Sequence, residues 1–124
     1  MNYFEKTGHF KYDSLVSDIS DINVKGVLLA KGQGIIKRGT ILGKGSDGKH
    51  YVMGNENEGI TLNVDGILTD DADTTENDKI GMEYVSGIFN KAAVICGDGY
   101  TIDERELRKL NITFKTILKE EEVQ

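Results

Sequence analysis

Apolar and polar residues alternate over short stretches through most of the chain, and glycine-rich turns separate these stretches. Between Gly34 and Met53, β-forming residues lie on either side of the sequence Gly-Lys-Gly-Ser-Asp-Gly. This pattern predicts a strand, a turn at Lys-Arg-Gly and a hairpin closed by Asp47-Gly48. Gly39 supplies the positive φ that the first turn requires, because it has no Cβ. A small β-domain is predicted to begin here.

Four further stretches have strand character and are bounded by turn residues. They are Ile22–Ala30, Ile60–Leu68, Lys79–Val85 and Ile88–Ile95. A turn at Ser86-Gly87 is predicted between the last two. The residues from Thr69 to Asp78 are mostly acidic or polar, so we expect a solvated loop there.

One helix is predicted near the C-terminus. Asp103 can cap it while Glu106, three positions on, completes a capping box. Leu107 and Leu110 supply its buried side, and Asn111 is predicted to end it in the left-handed conformation. A last strand is predicted at Ile112, Phe114 and Ile117. The predicted fold is mainly β, a small β-barrel or sandwich-like domain with one short C-terminal helix and an extended N-terminal arm.

The first twelve positions hold four of the nine aromatic residues, namely Tyr3, Phe4, Phe10 and Tyr12. Residues 1–21 show no sustained helical or strand period, which predicts an arm. In an extended conformation Phe10 and Tyr12 share one face, a pattern typical of a strand that pairs with a partner. The alternative is an edge strand or flap packed on its own domain. The predicted organisation is an arm at 1–21, a β-rich domain at 22–118 and a charged tail at 119–124.

The length of 124 residues and the excess of acidic over basic residues make some classes of function unfavourable. The size suits one domain with a modest core. Acidic residues outnumber basic ones by 21 to 15, so the surface disfavours binding to nucleic acid or anionic lipid. The single Cys96 cannot form an intramolecular disulfide and the N-terminus lacks the apolar core of a signal peptide, so we expect an intracellular product.

Two stretches resemble ligand-binding loops but lack required residues. The sequence from Gly43 to His50 has the spacing of a phosphate-binding loop, yet His50 stands where Ser or Thr must hold magnesium. Asp71, Asp73 and Thr75 alternate as in a calcium loop. However, Glu76 occupies the glycine position and Met82 the position of the bidentate Glu. A hairpin tip and a solvated turn are the better interpretations.

A nucleophile and base built from His9, His50 and Cys96 is the remaining catalytic hypothesis. A lone cysteine of buried type on a strand is usually a packing residue. The sequence shows no carboxylate pair or metal-ligand cluster either. We therefore predict a protein that is not an enzyme, with no catalytic residue, no cofactor and no metal site.

Four blocks of sequence, taken in order and with their spacing, resemble the lambda-type bacteriophage head decoration proteins, a family of capsid stabilising proteins. The blocks are Gly34–Leu42, Gly66–Asp73, Tyr84–Asn90 and Leu107–Ile112. The sequence Phe10-Lys11-Tyr12-Asp13 is also similar to members from phages and prophages of Gram-positive bacteria. The chain departs from the family at Asn111, where relatives often have Gly, and a left-handed C-cap tolerates that change.

The resemblance implies a structural protein of the virion, made in the bacterial host cytoplasm and placed on the outer surface of the capsid. Its expected partners are two further copies of the chain, forming a homotrimer, and the major capsid protein at local three-fold sites. Such trimers bind the expanded shell and stabilise it against DNA packaging pressure. Direct nucleic acid or membrane contact is not expected. Tyr3, Phe4, Phe10 and Tyr12 are the predicted capsid-binding residues of the arm.

Two alternatives remain at this point. Glycine followed by apolar residues and Lys-Arg-Gly-Thr also resembles a strand pair of a biotinyl- or lipoyl-type carrier module, which needs a modified lysine at a hairpin tip. Lys49 lies near such a tip, but Gly48 and His50 do not match the flanks of the carrier motif. The second alternative is another structural β-domain of a phage particle.

Overall fold

The structure, a computed structural model, describes residues 15–115, without the side chains of 17–21. Across this part of the chain, no helix has the length and apolar character needed to cross a bilayer. The elements in chain order are β1 (Val16–Leu29), β2 (Ile35–Ile36), β3 (Ile41–Gly45), β4 (His50–Val52), β5 (Leu62–Leu68), β6 (Ala72–Asp73), β7 (Lys79–Asn90), a 3-10 helix (Lys91–Ala93), α1 (Glu104–Arg108) and β8 (Ile112–Lys115).

Six of the strands form a sheet in the order β1-β4-β3-β5-β7-β8. Because β1 also pairs with β7, the first five of these strands close into a small barrel, and β8 adds to the outside edge of β7. The pairs β1–β4 and β7–β8 are parallel, and the other pairs of this sheet are antiparallel. A separate ribbon joins β2 to β6. The predicted fold class, mainly β with one short C-terminal helix, is confirmed.

The apolar interior consists of two groups of buried side chains. The larger group is Leu15, Ile41, Val64, Ile67, Phe89, Leu107 and Ile112, and it packs α1 and β8 against the sheet. The smaller group is Val27, Leu29, Ile36, Leu42 and Leu68, and it connects β1 with β3 and β5.

Several local predictions are confirmed. Gly39 and Gly48 have φ values of 95° and 89°, and the hairpin that contains Gly48 joins β3 to β4. Asp103 caps α1, since its Oδ1 accepts hydrogen bonds from the amides of Arg105 at 3.0 Å and Glu106 at 3.4 Å. Asn111 has a φ of 68° after the helix, as predicted.

The predicted turn at Ser86-Gly87 is wrong. β7 continues through both residues, because β8 pairs with it from Gly87 onward and β1 pairs along its other edge. Gly87 has a φ of 146°, a backbone conformation that residues with a side chain rarely adopt. The strand predicted to reach Ile95 instead ends at Asn90, whose side chain caps the 3-10 helix by accepting a hydrogen bond from the Ala92 amide at 3.1 Å.

Two segments are more integrated into the fold than the sequence suggests. β1 begins at Val16, within the predicted arm, and Leu15 before it is only 1% exposed. The acidic loop contributes β6, and Thr74 is fully buried, where its hydroxyl donates to the Gly34 carbonyl at 2.8 Å. The predicted strand residue Ile117 and the tail at 119–124 lie outside the described residues.

Candidate functional site

The outer face of the β1–β7 pair is apolar and exposed to solvent. Gly26 lies opposite Met82 and Leu28 lies opposite Ile80 in this antiparallel pair. We call the set Val24, Leu28, Ile80 and Met82 the β1–β7 apolar face; their exposed fractions are 44%, 38%, 82% and 43%. Contiguous apolar surface of this kind in a small domain is typical of a protein contact site.

The two-residue period of the strands produces this face. On β1, Val27 and Leu29 point into the barrel, so their neighbours Val24 and Leu28 cannot do so as well. Both pairs of β1 side chains are apolar, but the pleat of the strand turns only Val27 and Leu29 inward. The other pair is left on the surface, where a partner can cover it.

A second feature, the buried polar cluster, comprises Lys25, His50, Asp65 and Glu83 from four different strands. Asp65 Oδ2 lies 2.7 Å from His50 Nε2 and 3.1 Å from Lys25 Nζ. Glu83 Oε2 lies 3.6 Å from Lys25 Nζ and 3.8 Å from His50 Nε2. The side chains of His50 and Glu83 are 6% and 0% exposed, whereas that of Lys25 reaches the surface.

Strand register brings these four side chains together. Lys25 and Glu83 are direct cross-strand partners. The pairing of β3 with β5 skips one residue, so Asp65 is the extra residue of a β-bulge, which re-aims a side chain. Gly66 leaves the space for the carboxyl group, because a Cβ there would come within 2.6 Å of Glu83.

The cluster shifts the ionisation of its members in opposite directions. Burial, together with the neighbouring Asp65 carboxylate, raises the pKa of Glu83 to about 9. Burial acts against ionisation of Asp65 too, but its contacts with Glu83, His50 and Lys25 outweigh burial and lower its pKa. The desolvation of Lys25 is likewise outweighed by Asp65, and its pKa is raised. At neutral pH the cluster therefore holds a Lys25–Asp65 ion pair beside a protonated Glu83.

The predicted capsid-binding residues Tyr3, Phe4, Phe10 and Tyr12 lie outside the described residues, and so does His9. His50 belongs to the buried polar cluster, whereas Cys96 packs against the larger apolar group and its thiol donates to the Tyr100 carbonyl at 3.5 Å. The structure thus gives His50 and Cys96 separate surroundings.

Other residues of the candidate motifs have structural partners. Lys49, which the carrier alternative requires, forms an ion pair with Asp78 at 3.1 Å. Asp71 accepts a hydrogen bond from the Arg38 amide at 2.7 Å, and Asp73 accepts one from the Thr75 amide at 3.0 Å. The side chains of Lys49, Asp71 and Asp73 therefore each take part in a contact within the fold.

Lys25, Asp65 and Glu83 were not predicted from the sequence as members of a site, and the absence of a metal site stays a prediction. His50, Asp65 and Glu83 offer ligand atoms that all lie within 4.8 Å of one another. Their spacing along the chain carries no signal, because only the barrel register brings them together. The alternation around Glu83 would even have placed Ile80 and Met82 inside and Glu83 outside.

Comparison with known proteins decides the family. The family model described as bacteriophage lambda head decoration protein D matches residues 5–111. The chain belongs to this family. Head decoration proteins are structural proteins of the phage capsid and are not a known enzyme family. No curated protein matches the chain. The match includes most of the predicted arm, and as a head decoration protein the chain has its place in the virion.

Proposed function

We propose that this head decoration protein binds as trimers to the local three-fold sites of the expanded capsid and stabilises the shell against DNA packaging pressure. The observation that carries the proposal is the family match over residues 5–111. The chain is made in the host cytoplasm and reaches the outer surface of the capsid after the shell expands. Its direct partner there is the major capsid protein.

The β1–β7 apolar face supports self-association. Its four side chains are large and each is more than one third exposed in the single chain. A domain of this size gains stability by burying apolar surface against further copies of itself. In a three-fold ring the face of one copy meets a different surface of the next copy, which closes the assembly.

The arm is proposed as the capsid attachment element. Its aromatic residues precede Leu15, which is fixed in the core, so the arm leaves the domain at a defined point. An extended segment can add a strand to an edge of the capsid protein, with Phe10 and Tyr12 seated on one face. The arm loses conformational entropy when it becomes ordered on the capsid, so each single arm binds weakly. Three arms acting together provide firm attachment.

Stabilisation of the shell follows from mass action. A ligand that binds the intact expanded lattice and not its disrupted form stabilises the lattice in proportion to the logarithm of its concentration over Kd. Many copies of a modest site therefore produce a large total effect on the shell.

The experiment is a DNA-retention assay on packaged particles that lack the decoration protein. Adding the purified protein should raise the temperature at which the particles release DNA, and the increase should saturate with concentration. Particles that bind the protein but release DNA at an unchanged temperature would contradict the stabilising role.

A further inference from the structure

We propose that the buried polar cluster is a binding site for a divalent transition-metal ion of the zinc class, with His50, Asp65 and Glu83 as its ligands. The ion would join β4, β5 and β7 inside the barrel and act as a structural brace. This inference is independent of the capsid role.

Glu83 provides the first argument. Its side chain is 0% exposed, and neither of its oxygens accepts a hydrogen bond from the described residues. As the neutral acid Glu83 can donate to Asp65, but the groups that could donate to its oxygens, Lys25 Nζ and His50 Nε2, lie 3.6 Å and 3.8 Å away. A buried carboxyl group normally accepts closer hydrogen bonds, and an ion would supply the missing contact. Gly66 leaves room for this carboxyl group, because a Cβ at position 66 would lie 2.6 Å from Cδ of Glu83.

The chemistry of the donor atoms provides the second argument. One imidazole nitrogen and two carboxylates suit zinc and its first-row neighbours, whereas an all-oxygen set would suit magnesium or calcium. A divalent ion would balance the charges of Asp65 and an ionised Glu83 together, so its binding would release the proton that Glu83 carries in the metal-free cluster.

The distances provide the third argument. Tetrahedral zinc with bonds of about 2.1 Å places its ligand atoms about 3.4 Å apart. The His50–Asp65 and His50–Glu83 atom pairs are 2.7 Å and 3.8 Å apart, so shifts of less than 1 Å bring both to that value.

In the metal-free cluster, the ammonium group of Lys25 supplies the positive charge beside Asp65. This group can move away from the cluster. Lys25 Nζ lies 3.1 Å from Asp65, but its side chain is 47% exposed, so the ammonium group can swing into solvent. Asp65 is 21% exposed and marks the side from which an ion enters and a water completes the coordination. Lys25 is therefore a competitor for the ion.

The test is a titration of the full-length metal-free protein with Co²⁺, followed by the visible absorption of the bound ion and then by displacement with Zn²⁺. We expect saturable binding of a single ion per chain. Glu83→Gln and His50→Asn should each weaken binding about 100-fold or more, because the loss of an outer-shell partner alone costs about 10- to 100-fold. Lys25→Met should tighten binding, since it removes the competing ammonium group.

Cys96→Ser and His9→Asn are the matched controls, since they remove the one thiol and the other imidazole of the chain. Both should bind Co²⁺ as the original protein does. Zinc should also raise the melting temperature of the original protein and leave that of Glu83→Gln unchanged. The proposal is overturned if neither the original protein nor Lys25→Met binds Co²⁺ saturably, or if binding survives Glu83→Gln or disappears with Cys96→Ser. In either case the cluster holds no metal ion and is a network of polar contacts that includes the Lys25–Asp65 ion pair.

Discussion

The carboxyl group of Glu83 is enclosed by the barrel wall, and its protonation is linked to folding. Its pKa rises from an ordinary 4.5 to about 9 because the charged form is desolvated and faces Asp65. Between those two values the folded chain keeps a proton that the unfolded chain releases. The free energy of unfolding therefore falls as the pH rises through that window.

We predict that the unfolding free energy, measured by urea denaturation in buffer with EDTA, decreases between pH 5 and pH 9 by on the order of a few kcal/mol. Glu83→Gln should flatten this decrease, because glutamine stays neutral throughout. Glu104→Gln is the matched control: it changes a partly exposed carboxylate that pairs with Lys91, and it should keep the slope of the original protein. Equal slopes for the original protein and Glu83→Gln would show that Glu83 ionises normally.

Residues whose role depends on near neighbours could be predicted from the sequence. Asp103 caps the helix that follows it, and Gly39 and Asn111 adopt the positive φ that their turns require. The cluster around Glu83 could not be predicted in this way. It depends on a bulge at Asp65 and on the choice of which apolar set faces inward, and both are decided by the closure of the barrel.

At the scale of elements, β1 and β7 are the two long strands, and their pairing explains two departures of the fold from the sequence pattern. Ser86 and Gly87 have turn-forming chemistry, yet their neighbours on β1 and β8 continue the sheet past them. Similarly, Val16 begins β1 although the polar residues after it show no regular period. Tertiary pairing overrides local propensity in both places. The hairpin between β3 and β4 was predictable, because its turn residues are contiguous.

The start of β1 at Val16 determines where a deletion of the arm should end. Deletion of residues 1–14 leaves Leu15 in the core, whereas a deletion up to residue 21 would remove part of β1. We predict that the shorter deletion leaves a folded trimer, judged by its melting curve and mass, that no longer sediments with expanded capsids. Phe10→Ala with Tyr12→Ala should weaken capsid binding and leave the melting temperature unchanged.

Lys11→Ala with Asp13→Ala is the control for that double variant, because in the extended conformation predicted from the sequence these residues alternate with Phe10 and Tyr12. It should bind capsids nearly as well as the original protein. Unfolding of the 1–14 deletion would assign the arm to its own domain, and full decoration by a folded deletion would place the attachment element elsewhere.

At the scale of the whole molecule, the β1–β7 apolar face is the surface that a single barrel leaves uncovered. We predict that the purified protein has three times the 13.7 kDa mass of one chain in light scattering at micromolar concentration. Ile80→Lys should reduce that mass toward a single chain. Ile80 is 82% exposed, so the substitution should leave the fold of each chain intact.

Thr113→Lys adds the same charge at an exposed position of β8 and should leave the trimer unchanged. If the Ile80→Lys variant remains a trimer, the trimer interface does not include the β1–β7 apolar face. A mass of one chain for the original protein at all concentrations would contradict self-association itself.

The most direct test of the capsid role is a cryo-electron microscopy reconstruction of expanded capsids incubated with the purified protein, beside unexpanded capsids treated in the same way. We predict three copies of the barrel around each local three-fold axis on the outer surface of the expanded shell, and bare unexpanded shells. An expanded shell that remains bare at saturating protein concentration, or copies bound away from the three-fold axes, would contradict the account.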